Sequence, residues 1–289
     1  MTPYPEELRE LLDRYLTTLE FDDRPATAGL REAMRYSLLA GGKRIRPVLC
    51  LATGRSLGRD PEGLLPTAAA IELIHTYSLV HDDLPAMDDD ELRRGRPTSH
   101  VVHGEDVAIL AGDALFAEAI RLIAERQVGD PAKVLSAIRE IAAATGVNGM
   151  VGGQYVDVTV GGADAAALHE LHSLKTGRLI AASVGAGLVL SGVEGERAAA
   201  YRRFAAELGV LFQIVDDILD VTGSDEELGK PSGSDERHGK VTYVSLFGLE
   251  RARELAQESH AEVRGALAEA DGDVAGLESI ADFIFTRDA

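Results

Sequence analysis

The sequence predicts an all-α protein folded as a single domain over residues 1–289, on three observations. Apolar residues recur with helical spacing along almost the whole chain, alternating runs of strand length are nearly absent, and no shift in composition marks a boundary. With 45% hydrophobic and 27% charged residues, a chain of 289 residues can bury a large core.

Taken in order, Leu8, Leu11, Leu12, Tyr15, Leu16 and Leu19 line one face of a first amphipathic helix. Similar patterns run over Gly29–Leu39, Pro61–Val80, Asp106–Glu125, Pro131–Thr145, Asp164–Leu190, Glu196–Val221 and Thr242–Glu269. Gly41-Gly42, Gly152-Gly153, Gly161-Gly162, Pro61 and Pro131 supply the breaks. Gln154–Val160 is the one run that alternates like a strand, although its neighbours favour helix. Val107–Ile120 and Leu179–Leu190 are apolar around most of the helix, which places them in a bundle centre or a subunit interface and predicts a homodimer. Thr222–Lys240 carries no apolar stripe and reads as a long functional or disordered loop.

Twenty-nine basic residues against 48 acidic ones leave a net charge of −19, which argues against nucleic acid or an anionic membrane as partner. The single cysteine, Cys50, has no internal partner, so a reducing compartment is expected. Residues 1–20 are charged throughout and show no signal-peptide core, and the apolar stretch Leu179–Val193 is short for a membrane span. The expectation is a soluble, cytoplasmic protein without a membrane anchor.

The chemistry concentrates in two acidic clusters. In Ser78–His100, five aspartates fall within nine residues, Asp82 to Asp90, and Arg93, Arg94 and Arg96 follow directly. A solvated acidic loop is the bland alternative, but acids set against an apolar helix end and a cationic triplet exceed what solubility needs. Mg²⁺ is held by one or two carboxylates plus substrate phosphates, which suits such a cluster. Pro85 disfavours helix at Leu84, so the helix is expected to end near Asp83, with Asp88 returning towards Asp82. In the second cluster, Phe212–Asp220, Asp216 and Asp220 share a helix face and Asp217 is rotated off by about 100°. Apolar residues flank these acids, and unpaired buried carboxylates are costly. A cation between the two clusters would remove that cost.

Cations are placed to meet anionic ligands. Gly41–Pro47 (GGKRIRP) sets Lys43, Arg44 and Arg46 behind two glycines, a suitable anion site. Lys175, Thr176, Lys230 and Lys240 add positive or polar groups. His75 lies two helical turns before Asp82 on nearly the same face; alone it would read as structural.

Together these residues resemble the trans-isoprenyl diphosphate synthases, most closely the bacterial farnesyl diphosphate synthases. The resemblance runs from GGKRIRP through HDDLPAMDDDELRRGRPTSH, GGQYVDV, LKTGRLI, FQIVDDILD and LGKP…GK to the closing FIFTRDA. It implies a helical bundle of the isoprenoid synthase type around a deep central cavity, a homodimer, and isoprenyl diphosphate substrates. It also implies three Mg²⁺ ions, replaceable by Mn²⁺, on Asp82, Asp88 and Asp216. By the same resemblance Arg93, Lys175 and Lys230 grip the allylic diphosphate with Lys240 nearby. Gly42, Lys43, Arg46, His75 and Arg94 bind isopentenyl diphosphate, and Phe212 packs on its hydrocarbon. Thr176 and Gln213 stand beside the developing cation. The implied reaction is head-to-tail condensation with dimethylallyl or geranyl diphosphate to (2E,6E)-farnesyl diphosphate, with geranylgeranyl diphosphate the alternative product. Tyr77, with Ser78 beside it, is the chain-length position: five residues before Asp82, its ring lies about 7.5 Å deeper along the helix. Ile74 is the next candidate for a floor. Val241 and Val244 depart from the GKSTYP pattern common among relatives.

Two rival readings remain at this stage. A class I terpene cyclase would share the metal motif but not a second diphosphate site, against which Lys43, Arg46, His75 and Arg94 argue. A non-catalytic subunit should have lost acids from one cluster, and both are complete.

Overall fold

The structure, a computed structural model, describes residues 4–21, 23–160, 164–223 and 240–287. Lys230 and most of the Thr222–Lys240 loop lie outside the described residues. Helices dominate: α1 (Glu6–Thr17), α2 (Ala28–Leu38), α3 (Ile45–Ser56), α4 (Leu65–Asp82), α5 (Ser99–His103), α6 (Glu105–Arg126) and α7 (Pro131–Thr145). There follow α8 (Met150–Thr159), α9 (Ala165–His172), α10 (Arg178–Ser191), α11 (Glu196–Thr222), α12 (Tyr243–Phe247), α13 (Leu249–Ala268) and α14 (Ala275–Thr286). The described strands are two residues each, β1 (Leu92–Arg93) and β2 (Arg96–Pro97), closed by a turn in which Arg94 and Gly95 both have positive φ.

Local chemistry sets the helix ends. Asp130 and Asp164 accept backbone N–H groups at the starts of α7 and α9, and Thr242 and Ser245 form a reciprocal capping box before α12. The helix α4 stops at Asp82, and the Asp88 N–H donates to the Asp82 carbonyl at 2.8 Å, the return expected from Pro85. Four sequence readings are corrected. Gln154–Val160 is helical, in α8 as far as Thr159, and Gly152-Gly153 lies inside that helix rather than breaking it. Asp164–Leu190 is interrupted by a π-helical turn at Ser173–Gly177. Thr242–Glu269 is split at Gly248, where φ is 80°. The helix α3 begins just after the Gly41-Gly42 pair, and α14, absent from the helical stretches above, carries a stripe of its own at Leu277, Ile280, Ala281 and Ile284.

The core centres on α10, which packs against α3, α7 and α11, while α4 lies along α6 and α13 along α11. Leu179–Leu190 is buried within its own chain, apart from the partly exposed Ala181, so this half of the predicted dimer surface is corrected to core. The apolar surface of α6 is different: Ile109 and Leu110 are about half exposed and Phe116 partly so. Pro61–Asp82 and Ala165–Ser191 are long and apolar enough to cross a bilayer, but most of each is buried inside the protein, as core helices are.

Candidate active site

One cavity of ≈ 980 Å³ gathers most of the residues singled out in the sequence. Gly42, Lys43, Arg46, His75, Arg94 and Phe212 line one part of it, and Asp82, Arg93, Lys175, Thr176, Gln213 and Asp216 another, with Tyr77 and Ser78 also in its wall. Asp88 and Lys240 are not wall residues but join each other beside it, Lys240 Nζ donating to Asp88 Oδ1 at 3.0 Å.

The basic part is built on two strained turns. Arg94 sits at φ 54° at the tip of the β1–β2 hairpin and donates to the Gly41 carbonyl. A Cβ on Gly42 would stand 2.6 Å from the Arg94 guanidinium carbon, so only glycine allows this approach. Arg44, also left-handed at φ 52°, is buried and reaches Glu72 (2.5 Å), Asp13 (3.0 Å) and the Leu38 carbonyl (2.8 Å). It is a strut that ties the glycine loop to α4, not a ligand donor as its place among three cations suggests. Lys43 and Arg46 are thereby turned towards the cavity. Burial draws Arg46 down to about 10, helped by the nearby positive charges of Arg94 and Arg287. Burial likewise holds His75 well below its ordinary value, with Arg46, Arg94 and Arg93 adding to the effect, so the imidazole is neutral at pH 7. Arg46 Nη1 lies 3.4 Å from His75 Nε2. Cations crowded this closely favour an anion among them.

The acidic part is less symmetrical than the spacing implied. Of the second cluster only Asp216 is exposed to the cavity; Asp217 and Asp220 are buried. Asp217 accepts from Gln213 Nε2 and from the Tyr243 N–H, each at 2.7 Å. That pair fixes the Gln213 amide so that its Oε1 receives Thr176 Oγ1 at 3.2 Å. Burial pushes Asp82 up to about 6. Burial also acts on Asp88, but Lys240 and Lys175 outweigh it and hold that carboxyl below its ordinary value. Arg93 is turned onto Asp83 (2.5 Å) and Asp90 (3.2 Å), and Lys175 onto Asp157 (2.6 Å).

Among the described residues no three acids or imidazoles converge on one point. The donor set still suits Mg²⁺, which takes a few carboxylate oxygens and leaves the remaining positions to phosphates and water. Burial raises Asp82 despite the opposing pull of Lys175 and Arg93, so a divalent cation beside it would further favour the ionised carboxylate.

Three residues were missed in the sequence. Asp157 in α8 holds Lys175, with Lys240 3.7 Å away. Arg287 donates to Asp216 Oδ1 at 3.2 Å and lies over the Phe212 ring, 4.5 Å from its centroid. Phe116 in α6 meets Tyr77 edge to face with centroids 5.4 Å apart. Ile74 is fully buried behind the cavity wall rather than part of it. Asp157 and Arg287 each stood inside a motif of the resemblance, GGQYVDV and FIFTRDA, without being singled out there; nothing local marks Phe116.

An all-α fold around a cavity lined by both acidic and basic side chains suits an anionic ligand held together with a divalent cation. A family model described as polyprenyl synthetase matches residues 27–281. The chain is 46% identical over 283 residues to the farnesyl diphosphate synthase of Geobacillus stearothermophilus, covering 96% of this chain and 93% of that one. It is 47% identical over 264 residues to the chloroplastic geranylgeranyl pyrophosphate synthase of Capsicum annuum, covering 90% and 72%. Among solved structures, a Helicobacter pylori geranyltransferase complexed with magnesium and isoprenyl diphosphate superposes with a TM-score of 0.87 at 32% identity, over 98% of this chain and 97% of that one. The chain belongs to the polyprenyl synthetase family and is a trans-prenyl diphosphate synthase.

Proposed function

We propose that this enzyme condenses isopentenyl diphosphate with dimethylallyl and then geranyl diphosphate, releasing (2E,6E)-farnesyl diphosphate. The observation that carries the C15 product is Tyr77, buried in the cavity wall five residues from Asp82 on continuous α4 and backed by the Phe116 ring. Ser78, which donates to the His75 carbonyl at 2.9 Å, lines the wall beside it.

The chemistry follows from the charges. Lys175, Arg93, Lys230 and Lys240 bind the allylic diphosphate. When bound at Asp82, Asp88 and Asp216, Mg²⁺, three ions by family resemblance, neutralises the leaving diphosphate, and Mn²⁺ substitutes for it. The C1–O bond breaks with its electron pair leaving on diphosphate. Thr176 Oγ1 and the Gln213 carboxamide present fixed dipoles to the allylic cation. Lys43, Arg46, Arg94 and neutral His75, with the Gly42 backbone, hold isopentenyl diphosphate so that its double bond attacks that cation. Phe212 packs on its hydrocarbon. A proton then passes to the departing diphosphate, so no side-chain base is needed. The apolar walls keep water from the cation.

Ile109, Leu110 and Phe116 on α6 support a homodimer through that face, the single cysteine supports a reducing, cytoplasmic compartment, and the −19 charge argues against binding to anionic membranes. The second reading, a C20 product, is favoured by the similarity to a geranylgeranyl pyrophosphate synthase. Incubation with labelled isopentenyl diphosphate and each allylic diphosphate in turn, reading product length, separates the two. Farnesyl diphosphate as the end product is expected; C20 or longer overturns the C15 assignment.

A further inference from the structure

The motif Gly152–Val158 has no role in the reaction above, yet it faces the lysines on which that reaction depends. The helix α8 lies directly on the π-helical turn: a Cβ on Gly153 would stand 2.3 Å from the Lys175 backbone nitrogen. Only glycine permits that approach. One helical turn on, it brings Asp157 to the Lys175 side chain, with Oδ2 accepting from Nζ at 2.6 Å. Lys240 Nζ lies 3.7 Å from the same oxygen and 3.0 Å from Asp88 Oδ1. The Asp157 side chain is only 9% exposed, so these charges interact with little screening.

We propose that Asp157 is the positioning residue of the allylic diphosphate site: one carboxylate oxygen holds Lys175 against α8 and off Asp82, and gives Lys240 a second anchor beside its contact with Asp88. The proposal rests on the reading of Lys175 and Lys240 as diphosphate ligands. The physical argument is one of competition. The Lys175 ammonium feels the field of both Asp82 and Asp88, and that of Lys240 the field of Asp88. Without an anchor across from them, a flexible lysine settles on the nearest carboxylate and takes the place of a divalent cation there. Lys240 lies between the two acids, 3.0 Å from Asp88 Oδ1 and 3.7 Å from Asp157 Oδ2. Lys175, anchored more closely, makes no ion pair with Asp82.

A passive counter-ion would behave in the opposite way. If Asp157 merely cancelled surplus lysine charge, its removal would make the site more attractive to diphosphate. The sign of one substitution therefore separates the two roles.

The experiment compares wild type with Asp157→Asn, which keeps size and removes charge, and with Asp157→Glu, which keeps charge. Steady-state KM for geranyl diphosphate and for isopentenyl diphosphate, the Mg²⁺ concentration for half-activation, and calorimetric binding of inorganic diphosphate with Mg²⁺ are measured on each. In Asp157→Asn, KM for geranyl diphosphate and the Mg²⁺ requirement should each rise about fivefold or more, and inorganic diphosphate should bind correspondingly more weakly. KM for isopentenyl diphosphate should stay within about twofold, and Asp157→Glu should recover most of the loss. In a Lys175→Gln, Lys240→Gln background, Asp157→Asn should add nothing further, because it acts through those two side chains. Tighter or unchanged diphosphate binding in Asp157→Asn, or full additivity in the lysine background, overturns the proposal. If Lys175→Gln and Lys240→Gln leave KM for geranyl diphosphate unchanged in the wild-type background, the reading of the lysines has failed, a result distinct from failure of Asp157 alone. Poor folding of Asp157→Asn, seen as lost circular dichroism with Asp157→Glu normal in every readout, would assign the carboxylate to stability and overturn positioning.

Discussion

The rings of Tyr77 and Phe116 meet edge to face, 5.4 Å between centroids and 74° between planes, so the tyrosine in the cavity wall is braced from α6. Edge-to-face aromatic pairs contribute about 0.5–1.5 kcal/mol beyond their buried area. Tyr77→Ala should therefore shift product from C15 towards C20 or longer, since each added CH₂ buried in an apolar space gains about 0.8 kcal/mol. Phe116→Ala should do the same more weakly, by loosening the brace while leaving the ring in place. Product chromatography reads both; a Tyr77→Ala enzyme that still stops at C15 would falsify the floor.

Asp82→Ala and Asp216→Ala should each lower turnover by about 10²–10³, the scale of losing one group that stabilises charge in a closed site. Asp217→Ala should act differently. It releases the Gln213 amide and the start of α12 without removing a group from the cavity wall, so thermal stability should fall along with activity. Turnover and melting temperature measured on all three distinguish the roles, and normal turnover in Asp216→Ala would remove it from the metal set.

Arg94→Ala should raise KM for isopentenyl diphosphate at least about tenfold and leave KM for geranyl diphosphate nearly unchanged, because charge-assisted contacts are roughly twice as strong as neutral ones. Lys230→Ala and Lys175→Ala should show the reverse pattern. Initial-rate measurements varying one substrate at a time decide it. If Arg94→Ala and Lys175→Ala raise the same KM, the cavity is wrongly divided.

His75 gives the protein an acid sensitivity. Its folded-state affinity for protons lies well below that of an unfolded histidine, from burial first and the surrounding arginines second. The unfolded chain therefore binds more protons once the pH falls below about 6.5, and stability is lost in that direction and retained above it. Urea unfolding between about pH 5 and 7 should show a steeper fall for wild type than for His75→Gln, by at most about 1.4 kcal/mol per pH unit. Equal slopes would place the neutral imidazole elsewhere.

Light scattering at micromolar concentration should give a dimeric mass. Leu110→Glu, which puts a charge in the exposed apolar face of α6, should shift it towards monomer while the helical content holds. A monomeric wild type would leave that face without its assigned partner.

Much of this was legible in the sequence where local chemistry decides structure. The end of α4 beside Asp83 followed from Pro85, and the start of α9 at Asp164 from the helical pattern that begins there. The gathering of Lys43, Arg46, Asp82 and Thr176 into one cavity was visible because each lay in a motif dense in charge or glycine, and His75 joined them through its two-turn distance from Asp82 on one helix face. What stayed hidden depends on contacts between distant segments. Phe116 looks like one more apolar residue on a core helix until Tyr77 is packed on it. Arg44 is indistinguishable in sequence from its ligand-facing neighbours, and only the buried Glu72 reveals it as a strut. Asp157 alternated with valines and so suggested a strand, because α8 buries only a narrow stripe and period alone misreads a helix that short.

The π-helical turn at Ser173–Gly177 makes the enzyme sensitive to sequence length as well as to sequence content. Such a turn carries one residue more than the α-helix it interrupts. Deleting any single residue there would let the backbone relax to regular helix, keeping every neighbouring side chain and the overall hydrophobicity. The segments on either side would stay nearly in phase, because the π turn spreads about the rotation of four α-helical residues over five, but within the turn Lys175 and Thr176 could not both keep their present directions. A library of substitutions would pass over this constraint, since no side chain in the turn encodes it. A scan of one-residue deletions and insertions would expose it at once, as a narrow window of lost activity inside a helix that otherwise folds.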